Sequence, residues 1–295
     1  MFKAIAAAMA AAILVSPTSA EAHDRRAGGK LPLTDGITNA EGSGGGGLAA
    51  WALIAGNETD AGIGGTAHAT IVALPDFDLE AFGAALGVFD RVELSYTHQS
   101  FDTRAAGAAL GLGRGYTFAQ HALGAKVRVL GDAVWDQDSW LPQVAVGVQH
   151  KRADGGRLGK PLLKALGARG SSGTDFYVAA TKVLLAHSAV IGGTVRFTRA
   201  NQLGLLGFGG DRQAKRTAQF EGSAGKLLTR RLIAGVEYRT KPNNLRFAEE
   251  DDAYDLFAAW AVTRNLTLTA AYVDVGDIAT VKNQRGAFLQ LQGAF

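Results

Sequence analysis

The 295-residue chain has no cysteine, 19% charged residues and a formal net charge of +3. The missing cysteine excludes disulfides, thiol catalysis and Cys-ligated metals, and a small positive charge with no dense Lys/Arg run among aromatics points away from nucleic acid. Mean hydropathy is +0.06 without a single apolar stretch of roughly 18 residues past the N-terminal region, which argues against helical membrane spans and suits a chain in which every second residue faces lipid.

Reading from the N-terminus, Lys3 precedes a short apolar run, Ala4 to Val15, and then Ala20-Glu21-Ala22. This order of charge, apolar core and small-residue site predicts a cleaved secretory signal over 1–22 and a mature chain from near His23. No cysteine follows the site, so no lipoprotein anchor is expected. Residues 23–295 read as a single β-barrel domain. The run Gly44 to Gly47 can bend closely but offers nothing to anchor a phosphate.

Period-2 segments of about ten residues then follow one another between turn-rich stretches. They fall at 30–40, 48–57, 64–74, 79–88, 90–100, 118–130, 140–151, 174–185, 188–200, 216–228, 230–240, 252–263, 265–275 and 284–295. The pattern predicts an all-β, transmembrane antiparallel barrel of about 14 strands, an even number as bacterial barrels require. Segments 30–40 and 64–74 alternate least clearly, and a 12-stranded barrel with an N-terminal inner segment is the alternative. The last segment sets Leu289, Leu291 and Phe295 on one parity and Gln290 and Gln292 on the other, as in a final outer-membrane strand read by the barrel-assembly machinery.

The connections alternate in length. Short links at 89–90, 186–187, 229–230 and 264 alternate with long ones at 101–117, 152–173, 201–215, 241–251 and 276–283. Long loops belong outside the cell and short turns in the periplasm; the 131–139 link is longer than its periplasmic peers. In that orientation Tyr96, Tyr177, Phe197, Tyr238, Tyr254 and Tyr272 fall near the extracellular end of the apolar parity, and Trp260 and Phe295 toward the periplasmic end. Two aromatic girdles result, facing outer-membrane lipid and lipopolysaccharide.

Several stretches also resemble a known family: Phe89-Asp90-Arg91-Val92-Glu93-Leu94-Ser95, Ala109 to Gly115, Asn201 to Asp211, Glu237 to Pro242 and Ala271 to Ala279. The chain resembles, from about Gly29 to Phe295, the proteobacterial outer-membrane barrel family catalogued as domain of unknown function 3034. The resemblance implies location and architecture and carries no activity.

Candidate sites are sparse. Gly111-Leu112-Gly113 leads into a strand rather than a helix, so a dinucleotide site is not expected. The acidic group Glu249, Glu250, Asp251, Asp252 and Asp255 lacks a calcium-loop pattern and reads as a solvated rim, with pairing to Arg239, Lys241 or Arg246 open. The six histidines show no metal spacing. His98, His121 and His150 fall on the lipid-facing parity near Ser100, where headgroup contact is the plainer reading than catalysis. Lys126, Arg128, Lys182, Arg196, Arg239, Glu93, Glu221 and Glu237 take lumen parity. Basic residues outnumber acidic ones in that set, which points to anionic solutes unless the charges pair across the lumen. Small residues at Ala81, Gly83, Ala85 and Gly87 leave space there, although a plug made by residues 23–47 fits as well. The expected function is a passive pore or uptake channel for small solutes, needing no cofactor and doing no enzymatic work. A closed structural or surface-interaction barrel and a lipid-modifying rim enzyme are the alternatives.

Overall fold

In the computed structural model, residues 30–35 and 37–295 are described; the signal over 1–22 lies outside them. Two short inner strands come first, β1 (Ile37–Thr38) and β2 (Gly44–Gly45). Then follow β3 (Ile63–Ala73), β4 (Asp78–Val88), β5 (Val92–Asp102), β6 (Thr117–Leu130), β7 (Gln143–Ala153) and β8 (Ser172–Leu184). The rest are β9 (Ala189–Thr198), β10 (Thr217–Thr229), β11 (Leu232–Arg239), β12 (Ala253–Ala261), β13 (Leu266–Asp274) and β14 (Arg285–Ala294). β3 to β14 pair consecutively and antiparallel, and β14 returns to β3, so twelve strands close a barrel with no free edge. Among the described residues no helix is long and apolar enough to cross a membrane.

Alternation makes the wall. In β12, Ala253, Asp255, Phe257, Ala259 and Ala261 are buried inside, while Tyr254, Leu256, Ala258 and Trp260 are exposed outside. Leu94, Leu123, Val146, Phe176 and Leu289 continue the exposed apolar outer face, which a water-soluble protein would bury. Tight turns close one end. Phe89 and Asp90 take φ of 56° and 44°, and Arg91 N–H donates to Val88 O at 3.0 Å, a turn whose twist matches that of the flanking strands. At the other end long loops carry the short helices α1 (Ala106–Ala109) and α2 (Gly159–Ala165) and fold inward over an apolar cluster containing Phe77, Phe101, Phe118, Leu163 and Ile278.

The strand count is thus the twelve of the alternative. Segment 64–74 is wall strand β3, whereas residues 37–40 of segment 30–40 and 48–56 of segment 48–57 are buried inside the barrel. Residues 48–55, Leu-Ala-Ala-Trp-Ala-Leu-Ile-Ala, are all buried, with alanines at 49, 50, 52 and 55 that let the backbone run close to the wall there. Their amide groups bond largely to wall side chains rather than to a neighbouring strand, so apolar spacing alone misleads there.

Phe295 sits at the last seam. Its N–H donates to Gly65 O at 2.9 Å, and its carbonyl accepts from Gly65 N at 3.0 Å and Asn57 N at 3.1 Å. Its ring lies against Gly65, where a β-carbon would crowd it. Removing Phe295 should lower the yield of folded barrel, read as loss of heat-modifiable migration on gels; an unchanged yield would show that the seam closes without it.

Candidate functional site: the occupied lumen

The inner segment 37–55 is held by side chains of most of the wall. Thr38 N–H donates to Gln292 Oε1 at 2.7 Å, and Thr38 O accepts from Gln290 Nε2 at 2.7 Å. Glu93 accepts from Gly44 N at 3.0 Å and from Ala55 N at 2.9 Å. Glu237 accepts from Leu48 N at 2.8 Å and Trp51 Nε1 at 3.1 Å. Ala50 is gripped on both sides, its N–H to Glu221 at 2.8 Å and its carbonyl by Thr194 Oγ1 at 2.6 Å. Ala52 is held likewise, by Thr181 Oγ1 at 2.9 Å and Gln143 Nε2 at 2.6 Å. The glycine run explains the closeness: a β-carbon at Gly46 would overlap the Glu237 carboxylate, and one at Gly44 would press on Glu93.

Charge pairs complete the packing, as burial of charge requires. Lys126 Nζ lies 2.9 Å from Glu93 and donates to Gly44 O at 3.0 Å. Glu41, from the inner segment, pairs with Lys151 and, at 2.7 Å, with Arg239. Arg196 is fully buried; it pairs with Glu221, donates to Gln149 Oε1 at 3.0 Å, lies 4.0 Å from Asp175 and stacks 4.8 Å from the Tyr177 ring centre. Asp255 faces Glu237 directly across the β11–β12 ladder.

Six of the eight charges expected in the lumen, Lys126, Arg196, Arg239, Glu93, Glu221 and Glu237, point there. Arg128 also faces inward but sits at the short-turn rim, 3.0 Å from both Asp90 and Asp132. Lys182 does not face the lumen. It lies under the 131–142 link and donates to Asp136 O and, at 3.1 Å, to Leu141 O. Tyr177 is the matching correction: it is buried inside, its hydroxyl 3.1 Å from Ser43 Oγ, not part of a girdle. One parity slip in β8 accounts for both, because Phe176 and Val178 take the outer face. The other girdle residues, Tyr96, Phe197, Tyr238, Tyr254, Trp260, Tyr272 and Phe295, are outward and exposed.

Sequence reasoning missed Glu41, Lys151, Asp175 and Asp255 as lumen charges. Lys151 shares parity with Gln143 and Gln149, a signal that was available. Counting them removes the basic excess: four wall cations, Lys126, Lys151, Arg196 and Arg239, meet five wall carboxylates, Glu93, Asp175, Glu221, Glu237 and Asp255. The charge argument for anionic solutes therefore falls. The small residues Ala81, Gly83, Ala85 and Gly87 do not leave a path either; Gly87 packs against Ala55 O and the Glu58 carboxylate.

The remaining candidates are local. Lys241 lies 3.5 Å from Glu250 and donates to Val275 O at 2.7 Å; burial nonetheless pushes the Glu250 carboxyl above its ordinary range. Tyr238 donates to Asp252. Among the described residues no cluster of three metal-ligating side chains occurs. On the outer face, Tyr96 Oη meets His121 Nδ1 at 2.8 Å, the His98 and His121 rings lie 4.7 Å apart, and His150 Nδ1 meets Thr174 Oγ1 at 2.9 Å.

Above the inner segment, toward the long-loop end, are two cavities. The outer one measures about 170 Å³ and the inner one about 80 Å³. Gly47 and Leu48 of the inner segment line the inner one.

Among solved structures the chain is similar to the KdgM porin, with 7% identity and a TM-score of 0.50, covering 78% of this chain and 99% of that one. It is likewise similar to the KdgM porin in complex with disordered oligogalacturonate, with 8% identity, a TM-score of 0.51 and the same coverage. At these identities the likeness concerns the fold. No curated protein matches the chain. A closed antiparallel barrel with an apolar outer face and porin neighbours is an outer-membrane protein. The family described as "Protein of unknown function (DUF3034)" matches residues 34–292, more than half of the chain, and this outer-membrane barrel belongs to it.

Proposed function

We propose that the protein is a gated uptake channel for small solutes, closed by residues 37–55 and opened when that segment leaves the lumen. One observation carries this reading. The twelve wall strands close on one another without help from the inner segment, so its exit breaks no strand pairing. It is joined to the wall by individual side-chain bonds that water can replace. The likeness to porins supports a channel fold; the solute named with one of them, an oligogalacturonate, finds no matching excess of cations here. The long loops are taken as extracellular and the short turns as periplasmic. The protein does no chemistry in this reading.

The second reading is a permanently closed structural barrel. It draws on the same contacts, because wall side chains already bind backbone groups along the inner segment from Thr38 to Ala55.

A cysteine lock separates the two. The chain has no native cysteine, and Ala52 N–H already meets Thr181 Oγ1, so an Ala52→Cys/Thr181→Cys pair ties the inner segment to β8. Liposomes carrying the oxidised variant should show background swelling in small neutral solutes, and reduction should restore the wild-type rate. Background rates for wild type and reduced variant alike would favour the closed barrel.

A further inference from the structure

The long-loop cap holds two cavities lined mainly by apolar side chains. Phe77, Phe118, Leu112 and Leu162 line the outer one, and Phe101, Leu206 and Ile278 line both, forming the partition between them. Thr103 supplies a hydroxyl to the outer cavity, but it is committed to Tyr116 O at 2.7 Å. Water needs two to four polar partners to stay in such a space, and an apolar cavity of about 150 Å³ remains dry and takes up benzene. The outer cavity, at about 170 Å³, has that size and an apolar lining, and it opens toward solvent beside the exposed Leu110. The cations bordering the inner cavity are engaged: Arg239 by Glu41 and Lys241 by Glu250. Neither offers a free charge to an anion, and a charged guest would be stripped of water without compensation.

We propose that the cap is a binding site for one small uncharged apolar molecule, a monocyclic aromatic or a short hydrocarbon, held in the outer cavity. The inner cavity, floored by Gly47 and Leu48, is the next station toward the lumen. That second step names the solute class of the channel and rests on the channel reading; the binding site does not.

The test uses full-length protein in lipid nanodiscs and fluorobenzene followed by fluorine NMR, with empty nanodiscs correcting for partition into lipid. Wild type should show a saturable component that fluorobenzoate, the same ring with a charge, does not compete for. Leu112→Trp fills the edge of the cavity and should weaken binding about tenfold or more. Ile278→Ala removes part of the partition and should improve binding of propylbenzene relative to fluorobenzene. Heat-modifiable migration identifies folded samples. No saturable component in folded wild type would overturn the site. So would equal binding by folded Leu112→Trp, or an unchanged preference in Ile278→Ala should the tryptophan variant not fold. Binding without lock-sensitive swelling would leave the site standing and remove the channel; lock-sensitive swelling without binding would do the reverse.

Discussion

Deleting residues 37–55 should convert a barrel with little steady conductance into an open pore. The wall ladder is complete without them, and several wall pairs persist: Lys126–Glu93 at 2.9 Å, Lys151–Asp175 at 2.9 Å and Arg196–Glu221. Glu237 loses Leu48 N and Trp51 Nε1, but water enters with the same deletion, so the lost bonds are replaced rather than left bare. The emptied wall carries five buried carboxylates against four cations, which gives a weak preference for cations that strengthens at low salt as screening fades. Planar-bilayer recordings with reversal potentials in a salt gradient measure both effects. A folded deletion variant that stays non-conducting would put the barrier in the cap or the wall side chains and remove the gate from residues 37–55. A strong anion preference would contradict the lumen charge assignment.

Replacing Arg196 with Gln should be among the most damaging single changes in the lumen. The guanidinium is fully buried and serves Glu221, Gln149 and the Tyr177 face, with Asp175 at 4.0 Å. Glutamine cannot reach this set and supplies no charge. Removing one partner from a buried pair typically destabilises by about 3–5 kcal/mol, because the remaining charge stays dehydrated. Arg196→Lys should recover only part of this, since an ammonium lacks the planar guanidinium fork that spans Glu221 and Gln149 while stacking on the Tyr177 ring. Arg128→Gln is the internal comparison. Its partners Asp90 and Asp132 sit at the rim with side chains 17% and 25% exposed, where water relieves the loss, so its effect should be clearly smaller. Urea midpoints of refolded barrel, read by gel mobility, rank the three. Equal and small shifts would mean that the lumen is already wet and that the inner segment is loosely held.

Most of the wall was legible in the sequence because the membrane enforces it. A residue facing lipid must be apolar, so β5, β11, β12, β13 and β14 announce their parity through Leu94 and Tyr96, Val236 and Tyr238, Leu256 and Trp260, Leu268 and Tyr272, and Leu289 and Leu291. The lumen enforces no such rule once it is filled. Tyr177 reads as lipid-facing by type, yet its hydroxyl finds Ser43 and its ring finds Arg196. Lys182 reads as lumen-facing, yet the 131–142 link offers it carbonyls on the outside. The inner segment was harder still. Leu48 to Ala55 has the composition of a strand, and only Glu93, Thr181, Glu221 and Glu237, distant in sequence, reveal that its amides are met by side chains. Pairing between remote residues cannot be read from local period, which is why 23–47 reads as a candidate plug and 48–57 as a wall strand, whereas residues 37–55 together fill the lumen.

The carbonyl of Phe295 accepts from Asn57, where the chain leaves the lumen, and from Gly65, where it joins the wall in β3. Asn57 also reaches Arg264 O through its side chain at 3.3 Å. The strand that completes the cylinder therefore docks onto the same few residues that carry the chain from inside to outside. Once β14 has met β3 the cylinder offers residues 37–55 no sideways path, so any movement of theirs into or out of it runs along the axis, past the short-turn end where Asn57 meets Arg264 O. The seam thus ties the exit of the inner segment and the closure of the wall together through one set of hydrogen bonds.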